Sequence, residues 1–332
     1  MRQLLVAALT LAACTARAAT ITEVHYVMGT YFRIAAEHRD PAQARGAMRE
    51  CFRSARGLDE RFSRFDPASE LSRLNASAEA SQPVTVSVEM ANLLRRALDL
   101  QAQTQGTFDV SVGALTQLWR TAAQWPAAEA LAAARRTDGA HAFVLNGLSL
   151  TRRPGVLIDV DGIAKGWAVD RCVAQLRAAG IERALLSFGE SSLYAIGAPH
   201  NARGWQVGLR SLNGESAIGV LTLRDEAVSV SSVFGHERDF GPTRVGHIVD
   251  PRTGQALTTP AMAVIVASSA TDAEAFSKAM LIEPSVLGGG SRVGSVIGSL
   301  LVTHRGIRRT GSIPFTRFKA PRRIAVAAEV PR

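Results

Sequence analysis

Long apolar runs, lysine and cysteine are all scarce in this sequence of 332 residues. No stretch reaches the about 18 consecutive apolar residues of a membrane-spanning helix, so we expect no internal transmembrane segment. Only three of the 38 basic residues are lysines, Lys165, Lys278 and Lys319. Either each remaining lysine marks a special site, or the scarcity of lysine reflects coding bias. The hydrophobic fraction of 47% argues against disorder, and the length fits one large domain or two ordinary ones.

Acidic residues are nearly missing from the C-terminal part of the chain. Residues 301–332 carry eight basic side chains against Glu329 alone, a net charge of +7. The whole chain has a net charge of +9, so the rest of it carries only +2. Because the charge is confined to one end, we expect no nucleic-acid partner. We interpret residues 319–332 as a basic tail, for which binding to acidic lipid or polymer is an alternative role.

The first 19 residues have the pattern of an export signal. Arg2 precedes a largely apolar run over residues 4–13, which is too short to span a bilayer. Two endings compete: Ala16-Arg17-Ala18 is a small-residue cleavage site, and Leu11-Ala12-Ala13-Cys14 is similar to a lipobox, whose cysteine is acylated. Both endings predict an exported, periplasmic protein, and the second predicts a membrane-anchored lipoprotein.

The cysteines Cys51 and Cys172 are left for the folded region. They are either a disulfide or two buried thiols. Both lie in segments with helical apolar periodicity, so we favour buried, unreactive thiols.

Hydrophobic periodicity predicts an α+β fold, with helices early in the chain and strands late. Helices are predicted over residues 41–62, 69–74, 88–104, 127–136, 163–178 and 271–282. Strands are predicted as a pair over residues 21–35, over 142–150 and 155–160, in several pieces over 184–230, and over 263–267 and 300–302.

Residues 159–170 place a helix start directly after a predicted strand, with Lys165 one turn into the helix. The amide groups of a helix start favour an anion, and a lysine there adds a full positive charge, so the segment is a candidate phosphate site. The alternative is that Asp161 caps the helix and Lys165 is solvated.

Residues 106–113 place Phe108 and Asp109 in a glycine-flanked turn. The carboxylate of Asp109 is a candidate ligand contact. The alternative is a turn that leads into a core segment, with Trp119 packed inside.

Residues 246–254 place His247 and Asp250 before a turn that contains Pro251 and Gly254. A histidine and an aspartate three residues apart suit general-base chemistry. The alternative is that Asp250 caps the turn and His247 is a packed strand residue.

Residues 271–278 place acids and hydroxyls at a helix start, as a site for a divalent ion does. The alternative is a capping box of Thr271 and Glu274, with Glu274 and Lys278 as an exposed pair worth about 0.2–0.5 kcal/mol.

In their order along the chain, these segments together resemble the ApbE family. The resemblance extends over residues 21–318 and rests on Met28-Gly29-Thr30, on the segments 62–75 and 106–109, on 162–170 with its Ala164-Lys165-Gly166, and on 247–254. It implies a mixed α/β fold with a largely antiparallel sheet and flanking helices, in one domain over residues 20–318.

The resemblance also implies an activity. ApbE proteins are exported, often lipid-anchored FAD:protein FMN transferases, which move FMN from FAD onto a Thr or Ser hydroxyl of a partner protein and release AMP with the help of Mg²⁺. Some relatives instead hydrolyse FAD to FMN and AMP. By matching position, the resemblance implies a FAD site lined by Met28, Phe65, Phe108, Asp109, Lys165 and His247. It further implies a base made by His247 and Asp250, and a metal that the backbone of Ala164 faces.

The last motif departs from the family pattern. At the two positions of its metal ligands this chain has Glu274, which can still bind a hard cation, and Lys278, which cannot bind one when it is protonated. Asp272 is a substitute ligand only if a two-residue offset, about 200° around a helix, can be bridged. The alternative function is therefore a flavin-binding lipoprotein or an FAD pyrophosphatase-like relative, in which the ammonium group of Lys278 occupies the space of the ion.

Overall fold

The computed structural model describes residues 19–77, 82–135, 139, 141–235, 237–288 and 293–323. Within these ranges it confirms the α+β class. The helices are α1 (Pro41–Phe62), α2 (Glu70–Ala76), α3 (Val88–Gln103), α4 (Gly113–Thr121), α5 (Ala128–Arg135), α6 (Ala164–Ala178) and α7 (Ala270–Ile282), with a 3₁₀ turn at Pro284–Leu287. In the part of the chain so described, no helix is both long and apolar enough to cross a bilayer.

The strands of the main sheet run antiparallel to each neighbour, in the order β1-β2-β6-β7-β10-β13-β14-β15. They are β1 (Ala19–Val27), β2 (Thr30–His38), β6 (Ala184–Phe188), β7 (Ser192–Ile196), β10 (Glu226–Ser232), β13 (Ala261–Ala267), β14 (Val296–Thr303) and β15 (Gly306–Gly311).

Three small antiparallel sheets complete the fold. The first has the order β3-β5-β4, the second β11-β12, and the third β16-β9-β8. Their strands are β3 (Val84–Thr85), β4 (Phe143–Asn146), β5 (Ser149–Arg152), β8 (Trp205–Arg210), β9 (Ser216–Leu223), β11 (Arg238–Phe240), β12 (Thr243–Val245) and β16 (Phe315–Arg323).

The main sheet is covered on both faces, which β13 shows through its alternation. Ala263 and Ile265 belong to the core under the helices, whereas Met262 and Val264 belong to a second core under the β16-β9-β8 sheet. Because successive side chains of a strand point to opposite faces, a strand buried on both sides is apolar throughout. This explains the unbroken apolar sequence of β13.

Residues 155–160 and the two cysteines differ from the prediction. Residues 155–160 form no strand: Leu157 makes one isolated bridge with Val112, and the Asn75 side chain bonds both the N–H and the carbonyl of Ile158. A side chain from α2 thus replaces the ladder of a neighbouring strand. Cys51 and Cys172 are not free thiols but form a disulfide that joins α1 to α6.

The predicted leader and part of the predicted tail lie outside the described residues. These are residues 1–18, with the Leu11-Ala12-Ala13-Cys14 motif, and residues 324–332. The tail residue Lys319 belongs to β16, which pairs with β9.

Candidate active site

Glu274 is the centre of the charged cluster between α6 and α7. Its side chain is 1% exposed, and one carboxylate oxygen, Oε2, accepts from the N–H of Gly166 at 2.9 Å. The other oxygen, Oε1, accepts from the Ser192 hydroxyl and lies 3.6 Å from Nζ of Lys165. The predicted capping box is therefore wrong, because the side chain points into the protein and Ser269 caps α7 instead.

Lys278 lies one turn further along α7. Its Nζ donates to the carbonyl of Glu274 at 3.1 Å, and its stem passes Gly162, where a methyl group would lie 3.6 Å from Cδ of the lysine. Burial lowers the pKa of Lys278 to about 8; repulsion by Lys165 acts in the same direction and attraction to Glu274 and Asp161 opposes it. The alternative of an exposed Glu274–Lys278 pair is thus wrong, since Glu274 is buried and Lys278 is half-buried and donates to the backbone carbonyl of Glu274.

The close approach of α6 to α7 depends on Gly166. A methyl group on this residue would lie 2.5 Å from the carbonyl oxygen of Ala270. Glycine therefore lets the two helices touch and lets the carboxylate of Glu274 reach the first turn of α6.

Asp170 holds the other end of this contact. Its carboxylate accepts from the N–H of Ala270 at 2.7 Å and from the N–H of Thr271 at 2.9 Å. It also accepts from the hydroxyls of Ser269 at 2.8 Å and of Thr271 at 2.6 Å. Burial raises the pKa of Asp170, against these four hydrogen bonds. Asp170 thus fixes the start of α7, and with it the positions of Glu274 and Lys278 relative to Lys165.

Arg64 joins the two carboxylates that precede α6. Its Nη1 lies 2.7 Å from Asp159 and 2.9 Å from Asp161. Burial, then repulsion by Asp159, raises the pKa of Asp161 to about 6, while Arg64 and Lys165 oppose that shift. Ile163 is the residue before α6 and makes no side-chain cap, so the prediction that Asp161 caps the helix is wrong.

Phe65 follows Arg64 in the loop between α1 and α2. It is 74% exposed, with the guanidinium of Arg64 at 4.9 Å and that of Arg120 at 5.8 Å from the ring centre. An exposed aromatic ring beside cations is a candidate stacking surface for another planar group.

Met28 lies in the tight turn between β1 and β2. Its N–H donates to Asp59 at 2.8 Å, and its backbone has a positive φ of 49°. The turn approaches the cluster at Gly189, where a methyl group would lie 3.3 Å from the Thr30 hydroxyl and 3.7 Å from Cδ of Lys165. The structure therefore brings the first motif beside Lys165.

The side chains of Phe108 and Asp109 lie in different surroundings. Phe108 is buried against Gly162, whereas the carboxylate of Asp109 accepts from the N–H and hydroxyl of Ser111 and from the N–H of Gly139. Asp109 also lines a cavity of about 600 Å³, and Arg252 is among the other residues that line it. The residues around this cavity do not include Lys165.

Asp250 holds a turn through Arg252. Its carboxylate accepts from the backbone N–H of Arg252 at 2.9 Å and from the guanidinium at 3.1 and 3.2 Å. His247 is exposed on the loop after β12, and Gly246 before it packs against the carbonyl of Val233. The alternative that His247 is a packed strand residue is wrong, because β12 ends at Val245 and His247 is exposed.

Asp272 faces away from Glu274. Arg96 of α3 binds its carboxylate through two nitrogens at 2.8 and 2.5 Å, and Ser295 donates a hydroxyl at 2.5 Å. This is the direction that a two-residue offset on a helix predicts. Among the residues that the structure describes, no three His, Cys, Asp or Glu side chains form a group suited to a metal.

The sequence did not indicate several of these contacts. Asp170 lies within a recognised motif, but its role across two helices has no local pattern. Ser192 lies 82 residues from its partner Glu274, and Arg96 lies 176 residues from Asp272. Only the fold brings such pairs together.

Comparison with known proteins gives consistent matches. The family model described as "ApbE family" matches residues 28–287. The chain is 33% identical over 278 residues to a FAD:protein FMN transferase of Rhodobacter capsulatus. This alignment covers 80% of this chain and 51% of that protein. It is 28% identical over 269 residues to a FAD:protein FMN transferase of Klebsiella pneumoniae, with 77% and 76% covered. The chain thus spans about half the length of the Rhodobacter capsulatus protein.

Solved structures agree on the fold. The crystal structure of the ApbE protein from Thermotoga maritima matches with a TM-score of 0.79 at 25% identity, over 88% of this chain and 97% of that one. The flavin transferase ApbE from Vibrio cholerae matches with a TM-score of 0.76 at 23% identity, over 89% and 97%.

Proposed function

The chain belongs to the ApbE family, and we propose from this that it is a FAD:protein FMN transferase. It transfers FMN from FAD to a Thr or Ser hydroxyl of an exported partner protein and releases AMP. The observation that carries the proposal is the family match over residues 28–287, within which Lys165 lies at the start of α6 beside the β1–β2 turn.

The reaction replaces a phosphoanhydride bond with a phosphate ester bond. The acceptor oxygen bonds to the phosphorus of the FMN half, the pyrophosphate bond to the AMP half breaks, and the hydroxyl proton is released. Such a transfer needs positioning and charge neutralisation more than covalent help from the protein. Lys165, one residue into α6, supplies positive charge for the pyrophosphate.

We assign His247 as the base that accepts the hydroxyl proton. It is exposed, so a protein acceptor can reach it. Asp250 acts through the turn: by holding Arg252 it fixes the backbone after His247. Phe65, Met28 and Phe108 provide apolar contacts for the rings of FAD, and Phe65 has the exposed face that stacking requires.

The residues at the predicted metal position do not fit a divalent cation. Both oxygens of Glu274 already accept hydrogen bonds, from Gly166 and Ser192, and the ammonium groups of Lys165 and Lys278 flank the residue. Asp272 is bound by Arg96. The backbone carbonyl of Ala164 offers one neutral oxygen, which cannot offset two positive charges. The reaction proposed for this chain therefore uses no Mg²⁺ at this position.

We further propose that the protein is exported to the periplasm, with acylated Cys14 as an anchor if the lipobox is used. The leader pattern of residues 1–19 supports export. The Cys51–Cys172 disulfide also supports it, because disulfides persist in oxidising compartments.

The test is to incubate the purified protein with FAD and an exported acceptor protein that carries a Thr or Ser flavinylation motif. We expect covalent flavin fluorescence on the acceptor and release of AMP. A Lys165→Ala variant should lose both, and an acceptor whose motif hydroxyl is replaced by alanine should stay unlabelled. AMP with free FMN and no labelled acceptor would replace the proposal with FAD hydrolysis, and no AMP at all would reject both.

A further inference from the structure

The charged cluster between α6 and α7 contains two ammonium groups around one buried carboxylate. Nζ of Lys165 is 3.6 Å from Oε1 of Glu274, and Nζ of Lys278 is 3.1 Å from its carbonyl oxygen. Arg96 binds Asp272, the other acid of this part of α7. Glu274 balances only one of the two lysines, and the remaining positive charge is attracted to the carboxylate of Asp161.

Lys278 is held in place rather than solvated. Its stem runs beside Gly162. A methyl group on Gly162 would lie 3.6 Å from Cδ of Lys278 and 3.2 Å from the ring of Phe108. A lysine presents a compact point charge, so its ammonium takes roughly the place of one cation. At the same time, a divalent ion at Glu274 would meet the charges of two ammonium groups, and both oxygens of the carboxylate already accept a hydrogen bond.

We propose that the ammonium group of Lys278 is the resident cation of this active site and that the protein acts on FAD without a divalent metal at Glu274. This inference rests on the proposed function. In the transfer, the bond from phosphorus to the AMP oxygen breaks and negative charge grows on the leaving AMP. Lys165 and Lys278 together neutralise that charge, while the proton of the acceptor hydroxyl goes to His247.

Two measurements test the proposal, and the first does not depend on activity. The metal-free protein is titrated with Mn²⁺ and bound ion is followed by electron paramagnetic resonance, for the wild type and for Lys278→Thr. Lys319→Thr is the matched control, because it removes an exposed lysine. We expect no stoichiometric binding below millimolar Mn²⁺ for the wild type and the control, and at least tenfold tighter binding for Lys278→Thr.

The second measurement is FMN transfer in EDTA and in excess Mg²⁺. We expect the wild-type rate to change less than twofold between the two conditions. The Lys278→Thr rate should fall at least tenfold in EDTA and recover in part with Mg²⁺, and Lys278→Arg, which keeps the charge, should stay independent of metal.

Several results would overturn the proposal. Stoichiometric, Mg²⁺-competed Mn²⁺ binding by the wild type would do so, as would an activity that is lost in EDTA and restored by Mg²⁺. The Lys278→Thr variant is first shown to be folded by circular dichroism. If this folded variant binds Mn²⁺ no more tightly than the wild type, Lys278 does not occupy a cation's position. If the wild type transfers no FMN under any condition, the proposed function fails, and the Mn²⁺ titration alone still decides about Lys278.

Discussion

Replacing Asp170 should weaken the fold more than the loss of an ordinary helix cap. In Asp170→Ala the N–H groups of Ala270 and Thr271 lose their acceptor at a partly buried helix start. Leaving a buried donor unpaired costs about 1–3 kcal/mol, so we expect the free energy of unfolding to fall by about 2–5 kcal/mol. Asp170→Asn keeps one carbonyl oxygen as an acceptor, so its free energy of unfolding should lie between those of the alanine variant and the wild type. Urea unfolding followed by circular dichroism measures both values.

Asp40 offers a matched control. It caps α1 and also accepts two backbone N–H groups, from Ala42 at 2.8 Å and from Gln43 at 3.2 Å, but it is exposed. Asp40→Ala should cost only about 0.5–2 kcal/mol, because water replaces the lost acceptor. If Asp170→Ala costs no more than Asp40→Ala, the role of Asp170 as a clamp between α6 and α7 is refuted.

Three further changes have expected outcomes. Reduction of Cys51–Cys172, a link across 121 residues, should lower the free energy of unfolding by about 2–5 kcal/mol in urea titrations with and without dithiothreitol, and an unchanged midpoint would contradict the disulfide. Gly166→Ala should lower the free energy of unfolding by about 1–3 kcal/mol and lower the Tm, because its methyl group would overlap the carbonyl of Ala270. An unchanged Tm would show that α6 and α7 can move apart without cost. The raised pKa of Asp161 means that the folded state favours its protonated form, so this group stabilises the protein below pH 3.8 and loses that contribution as the pH rises to about 6. Asp161→Asn should therefore remove part of the fall in stability over that interval in a urea series, and parallel pH profiles would refute the shift.

The amphipathic helices were the most predictable part of the fold. The predicted helix over residues 41–62 coincides with α1, and the one over residues 88–104 ends one residue beyond α3. Both helices bury one face, and this produces a repeat in the sequence that can be recognised without the rest of the fold.

The surroundings of α7 could not be predicted in the same way. Eleven of its residues are buried, because the helix packs between the main sheet and α6. For such a helix, spacing does not reveal which side chain faces solvent, so Glu274 and Lys278 were expected as an exposed pair. The partners Gly166 and Ser192 are distant in sequence, and only packing shows that they complete the hydrogen bonds of Glu274.

The sequence predicted which residues belong to the candidate site, but not which side chains contact one another there. The motif order placed Met28, Phe108 and Lys165 in one site, and the structure brings their segments together around Gly162 and Gly189. The expected partnership of His247 and Asp250 is less direct, since the carboxylate of Asp250 binds Arg252. Such choices depend on the direction of a side chain at a turn, and the order of residues does not specify that direction.

The central claim is that this chain moves FMN from FAD to a protein hydroxyl. The most direct measurement is the intact mass of the acceptor protein after incubation with FAD, together with the amount of AMP formed in the same reaction. We predict a mass increase per acceptor equal to one FMN less one water, with one AMP for each FMN attached, and no increase with Lys165→Ala. An acceptor that stays unmodified here, although the Klebsiella pneumoniae transferase modifies it, would contradict the account.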